Sequence, residues 1–133
     1  MLKDIPDKKV EDIAIAVVPG DTSSTAGWKV FLINLKDVEL EGVLVSSRGY
    51  GTHKGKEVET TMFRHSLDVV EANSFKLIEP IDDHVFGLTN EYWVSFWVNK
   101  EMFDKKYLFL PESIKEEHMT EIPLLSQKGV MIK

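Results

Sequence analysis

The sequence predicts an all-β protein: an immunoglobulin-like antiparallel β-sandwich of about seven strands, with a short C-terminal helix or extended tail. Three observations carry that expectation. Apolar residues recur with period two in several short runs, the spacing at which a strand returns to the same face. Turn-rich clusters such as Pro19-Gly20 and Asp82-Asp83 divide the runs. The run Glu91-Tyr-Trp-Val-Ser-Phe-Trp-Val-Asn99 is aromatic on both faces, so it lies deep in a fold or waits for a partner.

Ile13, Ile15 and Val17 alternate in the first strand, which stops at Pro19-Gly20, and Asp21–Gly27 reads as a polar loop. Trp28–Leu35 is apolar on both faces until Asn34. Lys36-Asp37 reads as a turn, and Leu40–Ser47 as the returning strand of a hairpin. Arg48-Gly-Tyr-Gly-Thr-His-Lys-Gly-Lys56 is too glycine-rich for regular structure and predicts a loop. Val58–Leu67 reads as a half-exposed strand, and Val70–Ser74 as a turn. The alternation of Phe75, Leu77 and Ile81 predicts another strand, and Val85–Leu88 a short extra one. Tyr92–Val98 and Lys106–Leu110 pair across an Asn99–Lys105 loop. Glu112–Glu121 has a capping-box pattern, Ser113 with Glu116 three residues on, and predicts a helix ended by Pro123.

Composition narrows the function classes. A chain of 133 residues without repeat or linker is one domain, residues 1–133. The net charge of −6 argues against a general nucleic-acid surface, which needs concentrated positive charge. With 0 cysteines there is no disulfide framework, thiolate nucleophile or cysteine-based zinc site. The N-terminal Met1-Leu-Lys-Asp-Ile-Pro lacks a signal-peptide core, and no apolar run approaches the roughly 20 residues that span a bilayer. The expectation is a soluble cytoplasmic protein with no cofactor.

Residues 48–56 invite comparison with phosphate-binding loops, because Arg48, Lys54 and Lys56 supply charge and the glycines admit an anion to the backbone. The P-loop spacing fails, since five residues rather than four separate Gly49 from Gly55-Lys56, and Glu57 follows. Gly49, Gly51 and Gly55 also miss the dinucleotide fingerprint by one residue. A plain hairpin loop is one reading. The other is a loop that binds a small anion or nucleotide, or serves an enzyme, using Arg48, Tyr50, His53, Lys54 and Lys56. Asp82-Asp83-His84 is the best metal candidate, but three consecutive residues on extended chain cannot all face one ion. Arg64 and His65 point to opposite strand faces, and His65 reads as a partly buried, hydrogen-bonded histidine. Glu57 and Glu59 share a face, where paired carboxylates serve either acid–base chemistry or a solvated edge. No Gly-x-Ser-x-Gly elbow is present.

The tryptophans remain. Trp93 and Trp97 share one strand face, roughly 13 Å apart at the usual rise. Either they are core, with Tyr92 and Phe96 turned outward beneath a loop or the C-terminal segment, or an aromatic face is a dimer or partner surface. Ser95 between the two indoles leaves a notch that an opposing side chain can fill. The candidate anchors are therefore Trp93, Trp97, Tyr92 and Phe96, and the expected partner is another protein or a second copy.

Several segments carry a resemblance: Trp28-Lys-Val-Phe-Leu-Ile-Asn34, Val43-Leu-Val-Ser-Ser-Arg-Gly-Tyr50, Met62-Phe-Arg-His65, Thr89-Asn-Glu91, Ile122-Pro-Leu-Leu125 and Lys128-Gly-Val130. Together they resemble a family of short uncharacterised bacterial proteins, some of them labelled after the phenylalanyl-tRNA synthetase α subunit. Class II synthetases read ATP with an arginine closely followed by glutamate. Phe63-Arg64-His65-Ser66 offers the arginine without the glutamate, so the resemblance implies no known active site.

Overall fold

The first alternating run forms β1 (Ile13–Pro19), and the apolar run after it forms β2 (Trp28–Asn34). They pair antiparallel from Ile13–Asn34 to Pro19–Trp28. The computed structural model describes residues 9–20 and 27–133, so the N-terminal octet and the expected loop at 21–26 lie outside the described residues. The remaining strands are β3 (Leu40–His53), β4 (Lys56–Glu59), β5 (Phe63–Val70), β6 (Ser74–Ile81), β7 (Thr89–Val98), β8 (Glu101–Phe109), β9 (Thr120–Ile122) and β10 (Gln127–Ile132). The described strands number ten, more than the seven or so that periodicity suggests.

They form two antiparallel sheets packed as a sandwich. The first has the order β6-β2-β1-β10-β9. In the second the order is β4-β3-β7-β8, with β5 following β4 along the same edge of β3. The inter-sheet core joins Ile13, Ile15, Val17 and Leu32 to Val45, Tyr92, Val94 and Phe96, all at most 2% exposed. The other face of β1 is buried too. Ala14 and Ala16 are small enough for Phe31, Leu125 and Met131 to close over them. Gly129 on β10 lies against β1, where an added Cβ would sit 2.5 Å from the Val17 carbonyl oxygen and 2.6 Å from Val18 Cγ1.

Five expectations are corrected. First, β2 and β3 do not form a hairpin, because β3 crosses to the second sheet. Buried Asn34 pins that crossover: its Nδ2 donates to Val38 O at 2.9 Å and Glu71 O at 3.0 Å, and its Oδ1 accepts from Lys36 N at 3.0 Å. Second, the glycine-rich segment is mostly strand. β3 continues to His53 and turns only at Lys54-Gly55, whose φ values of 52° and 78° suit a tight primed hairpin turn. Third, the β7–β8 turn is equally short, at Asn99-Lys100 with φ of 48° and 67°, so the expected loop is strand from Glu101 on. Fourth, Val85–Leu88 is not a strand: its residues up to Gly87 belong to a 3-10 turn, Asp83–Gly87, whose start is capped when Asp82 accepts from His84 N and whose end is capped by Leu88.

Fifth, the expected C-terminal helix or tail is absent. Ser113 Oγ donates backward to Leu110 O at 2.7 Å instead of capping, only Glu116–His118 makes a 3-10 turn, and the chain ends as strands β9 and β10. Apolar residues at 114 and 119 lack helical spacing, whereas Ile114 is needed in the sandwich core.

Candidate interaction face

The two faces of β7 meet different neighbours, and that difference separates core from surface. Tyr92 stands opposite Tyr107, Val94 opposite Val45, and Phe96 opposite Phe103. The rings of Phe96 and Phe103 stack with centroids 5.6 Å apart, and Tyr92 meets Phe109 edge-on at 6.1 Å. Tyr92 and Phe96 are thus inner-face core residues, 2% and 1% exposed, and are withdrawn as partner anchors. Trp93 and Trp97 point outward at 44% and 43% exposure, so they are not core.

Their cross-strand neighbours are mixed. Trp93 lies between Ser46 and Lys106, and Trp97 between Glu41 and Met102. A register shift in β3 between Glu41 and Leu44 places Gly42, at φ 54°, beneath Trp97. A Cβ there would lie 3.2 Å from Trp97 Cδ1, so the missing side chain lets the indole lie down on the sheet. Lys106 Nζ sits 4.8 Å from the Trp93 ring centre, a cation–π contact. Leu44, Met102 and Leu108 join the indoles as exposed apolar residues of this face.

The relief of this face lies beside Trp93 and not between the two indoles, since Trp97 does not border it. A depression of 450 Å³ lies over Ser95, bordered by Leu44, Ser46, Trp93 and Met102, with Arg64 and Asp104 at its rims. Neither rim charge has a hydrogen-bond or ion-pair partner among the described residues. Periodicity found Trp93, Ser95 and Trp97. It missed Leu44, Ser46, Arg64, Met102, Asp104 and Lys106, because their place beside the indoles depends on strand order.

An ion-pair ladder crosses the same sheet next to this depression. Glu91, with a side chain only 6% exposed, accepts from Arg48 Nε at 3.1 Å and has Lys106 Nζ at 3.8 Å. Arg48 Nη1 also donates to Glu59 at 2.9 Å, and its guanidinium covers the Tyr50 ring at 4.9 Å. The Glu91 hydrogen bond, followed by that of Glu59, raises the Arg48 pKa. Arg48 and Tyr50 are therefore engaged within the chain. His53, Lys54 and Lys56 sit at the β3–β4 hairpin tip beside Glu57 and Glu59. Residues 48–56 are a paired hairpin rather than an open glycine loop, and its cationic end is offset by carboxylates.

Arg64 and His65 face opposite sides of β5 as expected. His65 turns inward, where Nε2 lies 2.8 Å from Glu79 Oε1. The same carboxylate accepts from Ser47 Oγ at 2.8 Å and from the Tyr92 hydroxyl at 2.9 Å. Glu79 on β6 thereby ties the first sheet to β3, β5 and β7 of the second. Ser47 donates to the carboxylate and not to the imidazole, so this is not a serine–histidine nucleophile pair. At the other sequence candidate, Asp82 accepts from His84 N at 3.0 Å and lies 2.8 Å from His84 Nδ1. Those contacts, the backbone bond first, lower the Asp82 pKa. No group of three or more His, Asp or Glu arranged to hold a metal occurs among the described residues. Nor is any helix there long and apolar enough to cross a membrane. No family model matches this chain, and no curated protein or solved structure matches it either.

Proposed function

We propose that the protein is a non-catalytic, cytoplasmic interaction module that self-associates through the outer face of its second sheet. One observation carries this reading: Trp93 and Trp97 lie more than two-fifths exposed on a face that also exposes Leu44, Met102 and Leu108. Large exposed aromatics and methionine are enriched where proteins meet, and a contiguous apolar patch on a soluble domain marks such a place. The depression over Ser95 gives the patch relief, so it admits a complementary side chain as a flat sheet would not. The resemblance to short bacterial proteins favours a bacterial setting.

Sedimentation velocity over a concentration series tests the reading, with Trp93→Ser and Trp97→Ser beside the parent chain. The expected outcome is a concentration-dependent dimer that becomes a folded monomer in both variants. Because both indoles are outside the core, the variants should keep the parent's far-ultraviolet spectrum. A dimer of undiminished strength in both would remove this face from the association.

A further inference from the structure

The four strands of the second sheet stand in a register that makes their outer face self-complementary. His65, Val45, Val94 and Lys105 form one row across β5, β3, β7 and β8, facing the sandwich interior. The outward row on one side of it is Ser66, Leu44, Ser95 and Asp104. On the other side it is Arg64, Ser46, Trp93 and Lys106. A two-fold axis above the central row, crossing the strands, exchanges these two rows.

We propose that a second copy of this chain docks face to face about that crosswise axis, with Trp93 of each copy seated over Ser95 of the other. This rests on the self-association read above and adds the partner's register. In the two rows nearest the axis the rotation sets large against small and anion against cation, with Arg64 over the small Ser66. Trp93 meets Ser95, Leu44 meets Ser46, Asp104 meets Lys106, and Met102 meets Leu108 one row further out. Each contact occurs twice, as a two-fold interface requires. The 450 Å³ depression over Ser95 admits the indole. Asp104, which has no hydrogen-bond or ion-pair partner among the described residues, gains one.

The alternative in-plane axis, running along the strands between β3 and β7, sets Arg64 against Lys106 and leaves Asp104 over Ser66. Charge therefore selects the crosswise axis, which juxtaposes no like charges in these rows. The area is modest. Four strands at ~4.8 Å spacing and the 10 residues of β7 at ~3.3 Å each give roughly 600 Å² per copy. That places the dimer at the small end of specific interfaces, among the weak and reversible ones.

Sedimentation equilibrium of the full chain tests the register with Asp104→Lys, Lys106→Glu, their equimolar mixture, and Ser95→Tyr. Each charge variant places like charges opposite each other twice, and should weaken the homodimer about tenfold or more. The mixture should recover a dimer. In the mixed pair each introduced charge faces the other, and each remaining native charge faces its opposite. Ser95→Tyr fills the depression without altering a charge, and should weaken association by itself even if Lys106→Glu perturbs folding through Glu91. Single variants that dimerise as tightly as the parent while Trp93→Ser does not would overturn this register alone. A parent chain still monomeric at roughly 0.5 mM, a concentration that populates even a weak specific dimer, would overturn self-association as well.

Discussion

Replacing Glu79 by leucine should cost this protein about 3 kcal/mol, and the structure indicates where the loss arises. The side chain is 13% exposed, and its carboxylate accepts from Ser47, His65 and Tyr92 at 2.8, 2.8 and 2.9 Å. Leucine keeps the bulk and removes the acceptor. The Tyr92 and Ser47 residues are only 2% and 4% exposed, so both hydroxyls lose a charge-assisted bond while still screened from solvent. A buried donor left in that state costs roughly 1–3 kcal/mol. His65, with a side chain 24% exposed, turns to water and adds little. The adjoining 190 Å³ cleft lets water reach part of the site, which keeps the sum in the lower half of the roughly 2–6 kcal/mol that two such donors give, at about 3 kcal/mol.

Urea unfolding at neutral pH measures the loss. With a slope of about 1–3 kcal/mol per molar, the midpoint should fall by roughly 1–3 M. Tyr92→Phe, which leaves the carboxylate two donors, should cost only about 1–2 kcal/mol. In Glu79→Leu the additional Tyr92→Phe change should then be nearly free, since the hydroxyl it deletes already lacks its partner. A midpoint for Glu79→Leu within error of the parent would refute the view that this carboxylate ties the two sheets together.

Two further outcomes follow from the packing. Burial raises the hydroxyl pKa of both Tyr92 and Tyr107 above the usual tyrosine range, and Tyr92 also feels the Glu79 carboxylate. Above pH ~10 the unfolded chain therefore binds fewer protons than the folded one, and stability should fall with rising pH by up to about 1.4 kcal/mol per unit for each tyrosine. Urea midpoints at successive alkaline pH values should show that decline, with a shallower slope in Tyr107→Phe; equal slopes would contradict it. Gly129→Ala forces a Cβ to within 2.5 Å of the Val17 carbonyl oxygen, a backbone atom of the central strand β1 that cannot rotate away. It should lower stability by roughly 1–3 kcal/mol, and a melting temperature equal to the parent's would show that β10 moves aside without cost.

Most strands are legible because period two survives in the chain itself. Ile13, Ile15 and Val17 alternate, and the tight turns lie where the strands run out of apolar residues. The expectation fails where local composition competes with long-range pairing. Glycines at 49 and 51 and the charged tip suggest a loop, yet β7 pairs with this segment along one edge and β4 along the other, holding it extended. Ser113 and Glu116 spell a helix start, yet the core takes Ile114 from an extended backbone. Val130 and Ile132 are too few to announce a strand, and β10 is nevertheless an interior strand because it pairs with β1 on one edge and β9 on the other.

For the candidate face, the sequence by itself determined that Trp93 and Trp97 share one side of a strand and Tyr92 and Phe96 the other, with Ser95 between the indoles. Alternation is a property of the covalent chain and needs no neighbour. Which side became core was decided only by tertiary structure. β7 is aromatic on both faces, so hydrophobicity along the strand was equal in both directions. The balance came from residues far away in sequence: Val45 and Tyr107 built one apolar face with Tyr92, Val94 and Phe96, while Ser46, Asp104 and Lys106 surrounded the indoles with groups that water solvates better than a core does.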